Sequence, residues 1–343
     1  MASDKTTIFF TGATGYVGGA ILTRLLEAGS FEITALVRNA DKAKKLNALG
    51  VSTIIASLDD SVPLVAAAAS ADVVMQTAHA DHLPAIKDIL KGMRQRFEKT
   101  GKQGILIHTS GTGVLIDDAK GMHDDHITYD DSSVESIESL PADAFHREVD
   151  IEVVKADQEG YIRSHIIIPS TIWGVLTGRL ADEGISHTLS HQIPWAIAAG
   201  LKRGQGGMVG KGLNVWPHVE LHELAEMYMI ILRAAIAGTA PHGREGHYFG
   251  ASGQYRLLDA AKAYTAVLYK LGKSKTPEPT TYTKEEIDRY FGGSEYLGSN
   301  SKCKAVRARE LGWKPTKTTE DFYAFIPTEV ETIAKDPSKS HVY

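Results

Sequence analysis

The stretch IFFTGATGYVGGAIL (residues 8–22) decides the fold. It begins as a buried strand, passes through Gly12, Gly15 and Gly18 at three-residue spacing, and continues at once as an amphipathic helix. Gly12 permits a tight turn, Gly15 lets the backbone approach a pyrophosphate, and Gly18 lets the helix pack closely on the strand. The start of the helix then faces the anion. Glycines in this setting predict a dinucleotide-binding loop, and a structural turn with coincidental glycines is the weaker interpretation.

Short apolar runs alternate with helical patterns through the first half of the chain. Six runs are rich in β-branched or aliphatic residues, as expected for buried strands of a parallel sheet: 6–10, 32–37, 51–55, 72–77, 104–109 and 164–169. Between them, apolar residues at three- and four-residue spacing predict helices at 16–28, 41–49, 61–70, 83–99 and 142–162. The expected fold class is therefore α/β, a doubly wound parallel sheet of the Rossmann type.

The strict alternation ends after the sixth strand. The chain then becomes rich in Gly, His and Trp, which indicates a second, smaller lobe. A helix is predicted at 187–204, where it would cap a pocket, and Trp173 and Trp195 are either flat surfaces for a substrate or core residues. We expect a dinucleotide-binding domain over 1–170 and a mainly substrate-binding lobe over 171–343, with some segments of the lobe returning to the first domain.

Composition excludes several classes of protein. The chain has 343 residues, of which 43% are hydrophobic and 23% charged, close to globular averages. A net charge of −5 opposes a broad cationic surface, so nucleic acid is not an expected partner. Apolar runs fall short of the ~18 residues that span a bilayer, so no membrane association is expected. The single cysteine, Cys303, and the polar start MASDKTT (residues 1–7) indicate a reducing compartment, and we expect a cytoplasmic location.

Taken together, these motifs resemble the short-chain dehydrogenase/reductase superfamily in its extended or atypical branches. The resemblance rests on TGATGYVG (11–18) and is supported by ALVRN (35–39), HTSGTG (108–113), IIIPSTIWG (166–174) and LGWKP (311–315). It implies a bound nicotinamide dinucleotide and a small-molecule substrate. It also implies a monomer, or a homodimer paired through the two helices that flank the fifth strand.

The residue at the end of the second strand indicates whether NAD or NADP is bound. An acidic residue there would bind the ribose diol of NAD, whereas an arginine neutralises the extra phosphate of NADP. Arg38 stands there, with Lys42 one helical turn further on, so we expect NADP(H). The alternative is that Arg38 is a solvated surface residue. The residues expected to contact the cofactor, the last three by resemblance at the nicotinamide carboxamide, are Thr11, Gly12, Thr14, Gly15, Tyr16, Val17, Gly18, Arg38, Lys42, Ser57, Leu58, Thr77, Ala78, His79, Thr109, His146, Pro169, Ser170 and Thr171.

The stretch LPADAFHREVDIEVVK (140–155) is where relatives keep a proton-donating tyrosine and, four residues later, a lysine that lowers the tyrosine pKa. Two registers are possible. One aligns Lys155 with the lysine and leaves Ile151 in place of the tyrosine. The other, which better fits a crossover helix as long as a strand, puts His146 in place of the lysine and Ala142 in place of the tyrosine. In both registers the tyrosine is missing, so ordinary alcohol dehydrogenation is not expected.

Other polar residues are candidates for the missing role. His146 holds the ribose or acts as acid or base, or it is a polar helix residue bonded to a backbone carbonyl. Tyr129, in a loop beyond the fifth strand, reaches the site or packs. Ser110 and Thr112, together with Thr109, follow the fifth strand at the edge where open α/β sheets bind ligands. The catalytic candidates are therefore His146, Tyr129, Thr112 and Ser110.

His79, Asp81 and His82 superficially resemble metal ligands after the fourth strand. A strand end that faces the nicotinamide, followed by the first turn of a helix, explains them equally well, and we expect no metal. The acidic, histidine-containing stretch 122–131 is interpreted as a solvated loop.

Three functions follow from these residues. The leading hypothesis is an NADPH-dependent oxidoreductase of atypical mechanism that acts on a carbonyl or conjugated double bond of a small, largely apolar molecule. The second is a nucleotide-sensing regulator, because the chain resembles NmrA-like proteins in lacking the tyrosine and lysine. The third is a lyase, cyclase or epimerase in which the nucleotide is structural or is regenerated within each turnover.

Overall fold

A computed structural model describes residues 5–340; residues 1–4, which belong to the polar start used above to predict the compartment, and residues 341–343 lie outside it. The strands β1–β14 of the described chain are, in order, Thr6–Thr11, Phe31–Val37, Ser52–Ile55, Val73–Gln76, Gly104–Thr109, Tyr129–Asp130, Ile162–Pro169, Thr171–Trp173, Gly207–Met208, Val215–Glu220, His247–Gly250, Gly253–Arg256, Thr280–Thr281 and Cys303–Lys304.

The helices α1–α13 of the same residues are, in order, Tyr16–Ala28, Ala40–Ala48, Ser61–Ser70, Leu83–Thr100, Val134–Glu138, Arg147–Gln158, Arg179–Asp182, Gln192–Arg203, Leu221–Ala237, Leu257–Lys270, Lys284–Phe291, Arg307–Glu310 and Thr319–Lys335. Short 3-10 turns cover Thr112–Leu115, Gly243–Glu245, Tyr296–Gly298 and Pro337–Ser340.

Seven of the described strands form one parallel sheet in the order β11-β7-β5-β4-β1-β2-β3. The chain winds outward in both directions from β1 and β4, and right-handed crossovers then place helices on both faces. Helices α3, α4 and α6 pack together on one face, and α1 packs against α9 on the other. The expected α/β class with a doubly wound parallel sheet is confirmed.

The glycine loop lies where the strand order reverses, between β1 and β4. The Thr77 backbone N–H and hydroxyl both donate to the Thr11 carbonyl oxygen at 3.0 Å, which ties the two strand ends together. Gly12 has φ +84°, and a Cβ atom there would lie 2.6 Å from Thr77 Oγ1. A Cβ atom on Gly18 would overlap the Gly12 carbonyl oxygen. The loop therefore requires glycine at both positions, for conformation and for close approach.

A second lobe is built from later segments. Strand β8 follows β7 directly and forms a small sheet with β10 and β12. The cluster of buried side chains beside this sheet includes Trp216, Tyr264, Phe322 and Ile326. Helix α9 and strand β11 belong by packing to the large sheet, because Leu224, Tyr228 and Phe249 are part of its core. The chain thus leaves the large sheet after β7 and returns to it with α9 and β11.

Two helices begin later than the sequence pattern predicts. The helix expected at 142–162 runs only over Arg147–Gln158, because turns follow Pro141 and because His146 adopts φ +68°, a left-handed conformation that a helix does not continue. The helix expected at 187–204 begins at Gln192. Residues 187–191 are instead a loop.

Replacement of Gly18 by alanine should destabilise the fold by about 3 kcal/mol or more, because the new methyl group overlaps a backbone oxygen that cannot move without opening the loop. Gly15→Ala is the matched comparison: its Cβ atom would lie 3.2 Å from the same oxygen, so it should unfold at nearly the wild-type urea concentration. Equal midpoints for the two variants would contradict the packing role given to Gly18.

Candidate functional site

Three cavities lie side by side along the carboxyl ends of the parallel strands. The first, of about 380 Å³, is called here the glycine-loop cavity. Its lining residues are Thr11, Gly12, Thr14, Gly15, Leu36, Val37, Arg38, Ala56, Ser57, Leu58, Asp59, Thr77, Ala78, His79, His82 and His187. Ten of these were predicted from sequence as cofactor contacts. Thr11 Oγ1 is buried in this wall and has no hydrogen-bond partner among the described residues.

The second, the central cavity, has a volume of about 710 Å³. It is lined by Gly15, Tyr16, Val17, Gly18, Thr77, Ala78, Ser170, Thr171, Ile172, His187, Leu189, Ser190, His191, Gln192 and Tyr296. It shares Gly15, Thr77, Ala78 and His187 with the glycine-loop cavity, so the two are continuous. The central cavity therefore extends the glycine-loop cavity past the start of α1 to the end of β7.

The third, the outer cavity, has a volume of about 640 Å³ and continues from the central one through His191 and Tyr296. Its lining residues are Ile116, Asp117, Asp118, Lys120, Phe145, His191, Trp195, Ser294, Glu295, Tyr296 and Ser299. Rings dominate the inner wall: Tyr296 packs against Phe145 and against Trp216, with centroids 6.4 and 5.0 Å apart. The outer cavity thus combines the rings of Phe145, Trp195 and Tyr296 with four charged residues, which are Asp117, Asp118, Lys120 and Glu295.

Positive charge gathers at one end of the glycine-loop cavity. Arg38 lines the cavity and follows β2 directly. The side chain of Asn39 accepts a hydrogen bond from the Lys42 backbone N–H at 3.0 Å and caps α2, which holds the next turn beside Arg38. Partial burial lowers the Lys42 pKa, and Lys45 and Arg38 lower it further. No ion pair within residues 5–340 neutralises Arg38 or Lys42.

Of the three polar residues at the end of the fifth strand, Thr109 and Ser110 are held by internal hydrogen bonds, whereas Thr112 Oγ1 has no partner among the described residues. Thr109 Oγ1 lies 2.8 Å from the hydroxyl of buried Tyr228, and Ser110 Oγ donates to Asp150 Oδ2 at 2.9 Å. The Thr112 side chain is buried. Like Pro169 and Lys42, these three residues lie outside the linings of the three cavities. The strand end is therefore close to the site, but its hydroxyls face the protein interior.

His146 is paired with Asp81 at the carboxyl edge of the sheet. Its Nδ1 lies 2.7 Å from Asp81 Oδ1, and a Cβ atom on Gly111 would come within 3.0 Å of its Nε2. With His79 and Asp81 it lines a separate recess of about 760 Å³ that touches the glycine-loop cavity at His79. Lys155 lies in the last turn of α6 at the opposite edge, beside Tyr161.

The remaining candidates lie in different places. Tyr129 is on β6, which pairs with β14, and it is 8% exposed and outside the three cavities. His79 Nδ1 accepts from the Asp81 backbone N–H, and His82 Nδ1 caps α4 through Ala85. Within residues 5–340 no three His, Cys, Asp or Glu side chains are placed to hold a metal ion. In the same part of the chain no helix has the length and apolarity that membrane crossing requires.

A buried carboxyl lies behind the central cavity. Glu329, on α13, is 0% exposed, and its Oε1 accepts a hydrogen bond from Ser190 Oγ at 3.3 Å. Its Oε2 has no partner among the described residues. Burial is the main cause that raises the Glu329 pKa to about 8, and the hydrogen bond from Ser190 lowers this pKa by a smaller amount. Burial first, and then this carboxyl, raises the pKa of Tyr16, whose hydroxyl donates to the Gly174 carbonyl oxygen at 2.7 Å.

Sequence reasoning missed Ser190, Tyr296 and Glu329. Glu329 did carry a signal, since it stands on the same helical stripe as Phe322, Ile326 and Val330, where an apolar residue is expected. Ser190 lay inside a segment interpreted as helix. Tyr296 lies more than 100 residues beyond the predicted cofactor contacts, and only the tertiary fold brings it to the cavity.

Comparison with known proteins agrees with this geometry. Residues 12–127 match the family model for NAD(P)H-binding. The chain is 28% identical over 329 residues to oxidase ucsJ of an Acremonium species, an alignment that covers 90% of this chain and 92% of that protein.

Two solved structures with low sequence identity share the fold. PbgP3 from Burkholderia pseudomallei superimposes with a TM-score of 0.67 at 13% identity, covering 99% of each chain. A dTDP-glucose 4,6-dehydratase of Bacillus anthracis in complex with NAD superimposes with a TM-score of 0.63 at 14% identity, covering 97% of this chain and 98% of that one. Residues 12–127 are thus similar to NAD(P)H-binding proteins, as the glycine motif predicted, and the chain shares the fold of these two solved structures.

Glu329 should make stability depend on pH. Its pKa in the folded protein, about 8, lies above the ordinary value of 4.5. The buried carboxyl therefore costs least stability below about pH 4.5, and the free energy of unfolding falls as pH rises from there to about 8. The Glu329→Gln variant has no carboxyl to ionise, so its stability should not fall over this pH range for this reason. Urea unfolding should therefore show the variant gaining on the order of 2 to 4 kcal/mol relative to wild type between about pH 5 and about pH 8.5. Glu331→Gln, at an exposed position on the same helix, is the control. The same difference at both pH values would contradict the raised pKa.

Proposed function

We propose that the protein is an NADPH-dependent oxidoreductase that reduces a carbonyl or conjugated double bond of a small, largely apolar molecule, or oxidises the corresponding product, in the cytoplasm and without the usual tyrosine and lysine pair. The observation that carries the proposal is the continuity of the glycine-loop, central and outer cavities. A dinucleotide in the first two would extend its reactive end toward a recess walled by Phe145, Trp195 and Tyr296.

The residues present fit a dinucleotide. Gly12 and Gly15 line the glycine-loop cavity directly before α1 begins at Tyr16, and the buried Thr11 hydroxyl in that wall has no partner in the described chain. When bound, the cofactor supplies hydride transfer at its nicotinamide. The residues of the chain bind its phosphates, orient its ring with Ser170 and Thr171, and exclude water with the aromatic wall.

The preference for NADPH is supported by Arg38 and Lys42. Arg38 lines the glycine-loop cavity directly after β2, where the adenosine ribose would lie in a Rossmann fold, and Lys42 stands on the next helical turn outside the cavity lining. No ion pair within residues 5–340 involves either of them. A 2′-phosphate would supply the missing negative charge, because a guanidinium can bind it through two parallel hydrogen bonds.

A redox role is favoured over nucleotide sensing by two observations. The recess beside the central cavity is large and ring-lined, whereas a sensor needs only the nucleotide site and an exposed surface for its partner. The similar Acremonium protein carries the name oxidase. The likeness to a dehydratase concerns the fold alone, and retention of cofactor through purification would be the sign of an internally recycling lyase or epimerase.

Turnover should be seen with trans-cinnamaldehyde, an apolar probe that has both a carbonyl and a conjugated double bond. We expect loss of NADPH absorbance that depends on the probe, and the product identifies the reduced bond: cinnamyl alcohol for the carbonyl, 3-phenylpropanal for the double bond. Trp195→Ala should raise KM about tenfold or more, since it removes one wall of the outer cavity. Tight NADPH binding without oxidation, by this probe and by a panel of apolar ketones, enones and quinones, would support a sensor instead.

Removal of the Arg38 guanidinium should weaken NADPH binding about 10- to 100-fold, which corresponds to one lost charge-assisted contact, and should leave NADH binding nearly unchanged. Dissociation constants from nicotinamide fluorescence for Arg38→Ala and wild type measure this directly. Lys44→Ala removes an exposed positive charge from the neighbouring helix and is the matched control. A parallel loss of affinity for both cofactors would refute Arg38 as the determinant of phosphate recognition.

A further inference from the structure

The proposed reduction needs a proton as well as a hydride, and the candidates named from sequence are poorly placed to donate it. Ser110, Thr112 and Tyr129 lie outside the central cavity, and His146 lines a separate recess beside Asp81. A donor must reach the reacting atom directly or through one further group. A hydroxyl on the wall of the central cavity meets this requirement better.

Ser190 is the hydroxyl that connects this cavity to a buried acid. It is 6% exposed, it lines the central cavity opposite Thr171 and the start of α1, and its Oγ lies 3.3 Å from Glu329 Oε1. Glu329 does not line the cavity, so Ser190 is its route to a bound molecule. A fully buried carboxyl with one oxygen lacking a partner is costly to keep, and such groups are concentrated at functional sites.

We propose that Ser190 donates the proton to the substrate during reduction and that Glu329 resupplies Ser190 through their hydrogen bond. The proposal rests on the proposed NADPH-dependent reduction. Hydride adds to the substrate carbon with its electron pair, and the π pair of the C=O or C=C bond moves to the far atom. That atom takes the Ser190 hydroxyl proton, and the Glu329 carboxyl proton passes to Ser190 Oγ. Glu329 is left as a carboxylate, and solvent restores its proton through the emptied cavity. Ser190 is thus the catalytic residue, and Glu329 is a positioning residue that acts through it.

The surroundings of Glu329 suit this role. The titratable groups coupled to it are Tyr16 on α1 and Tyr255 on β12, and burial raises the pKa of both. Glu220 also acts on Tyr16, and His191 and Tyr296 line the same cavity. None of the ion pairs within residues 5–340 includes Glu329. With a pKa of about 8, the group is protonated at neutral pH and can donate, and it becomes a carboxylate above that range.

Cofactor binding tests the position of Glu329 without any substrate. The oxidised nicotinamide is cationic and the reduced ring is neutral, so a carboxylate nearby favours NADP+ over NADPH. For wild type we expect the ratio of the NADP+ and NADPH dissociation constants to fall about tenfold as pH rises from about 6 to about 9.5. Ionisation of the 2′-phosphate cancels in this ratio. Glu329→Gln should give a flat ratio, Ser190→Ala should keep the slope, and Glu331→Gln should match wild type.

Turnover of trans-cinnamaldehyde then separates the two roles. We expect wild-type kcat to decline above about pH 8, Ser190→Ala and Glu329→Gln to lose about 10- to 1000-fold in kcat with little change in KM, and Ser190→Thr, which keeps a hydroxyl, to recover much of the rate.

The possible failures are distinguishable. Absence of binding by either cofactor would overturn the proposed function itself. A pH-independent ratio in wild type, or full kcat in Ser190→Ala, would overturn the Ser190 and Glu329 relay while leaving the oxidoreductase in place.

Discussion

The close contact between the glycine loop and the end of β4 is the constraint on which the rest of the site depends. Gly12 fits against Thr77 and Gly18 fits against Gly12 because neither has a side chain. This contact brings the N-terminus of α1 to the point where the strand order reverses, the position at which open parallel sheets bind ligands. The glycine-loop and central cavities both include residues of this contact, so their positions follow from it.

The second lobe is joined to this edge by a short and well-bonded connection. Ser170 follows β7 directly, and its backbone N–H and hydroxyl both donate to the Gly250 carbonyl oxygen. Thr171 then begins the small sheet and lies 2.8 Å from Gln192 Oε1 and 3.0 Å from the Tyr255 hydroxyl. Because these bonds anchor the start of α8, the loop before it, with His187, Ser190 and His191, is held over the central cavity.

The parts of the fold that sequence predicts well are those set by local rules. Glycine spacing and the period of apolar residues are read within one element, and the helices at 16–28 and 61–70 match the structure at both ends. The helix predicted at 142–162 failed at its start, because the left-handed conformation of His146 is stabilised by packing on Gly111 and by Asp81, which are distant in sequence.

The cavity walls depend on tertiary structure and were correspondingly harder to predict. Ten of the residues around the glycine-loop cavity follow from the motif, since each stands just after a strand of the parallel sheet. Tyr296 and Ser190 belong to segments with no regular period. The approach of Tyr296 to the cavity is fixed by nearby long-range contacts, in which Asn214 and Trp216 both donate to the Ser299 carbonyl oxygen. A sequence can reveal such residues only by contrast, as with Glu329, a carboxyl on an otherwise apolar helix face.

Buried polar groups lie on two sides of the central cavity, at the end of β5 and in the second lobe. At the end of β5, Thr109 is paired with Tyr228 and Ser110 with Asp150, whereas the buried Thr112 Oγ1 has no partner in the described chain. In the second lobe, Glu329 also retains an oxygen without a partner in the described chain, and it contacts the central cavity through Ser190. An unsatisfied buried group costs stability, whereas a satisfied one does not. Both sides therefore carry this cost, but Ser190 lines the central cavity whereas Thr112 does not, which is why the proposed proton relay runs through the lobe.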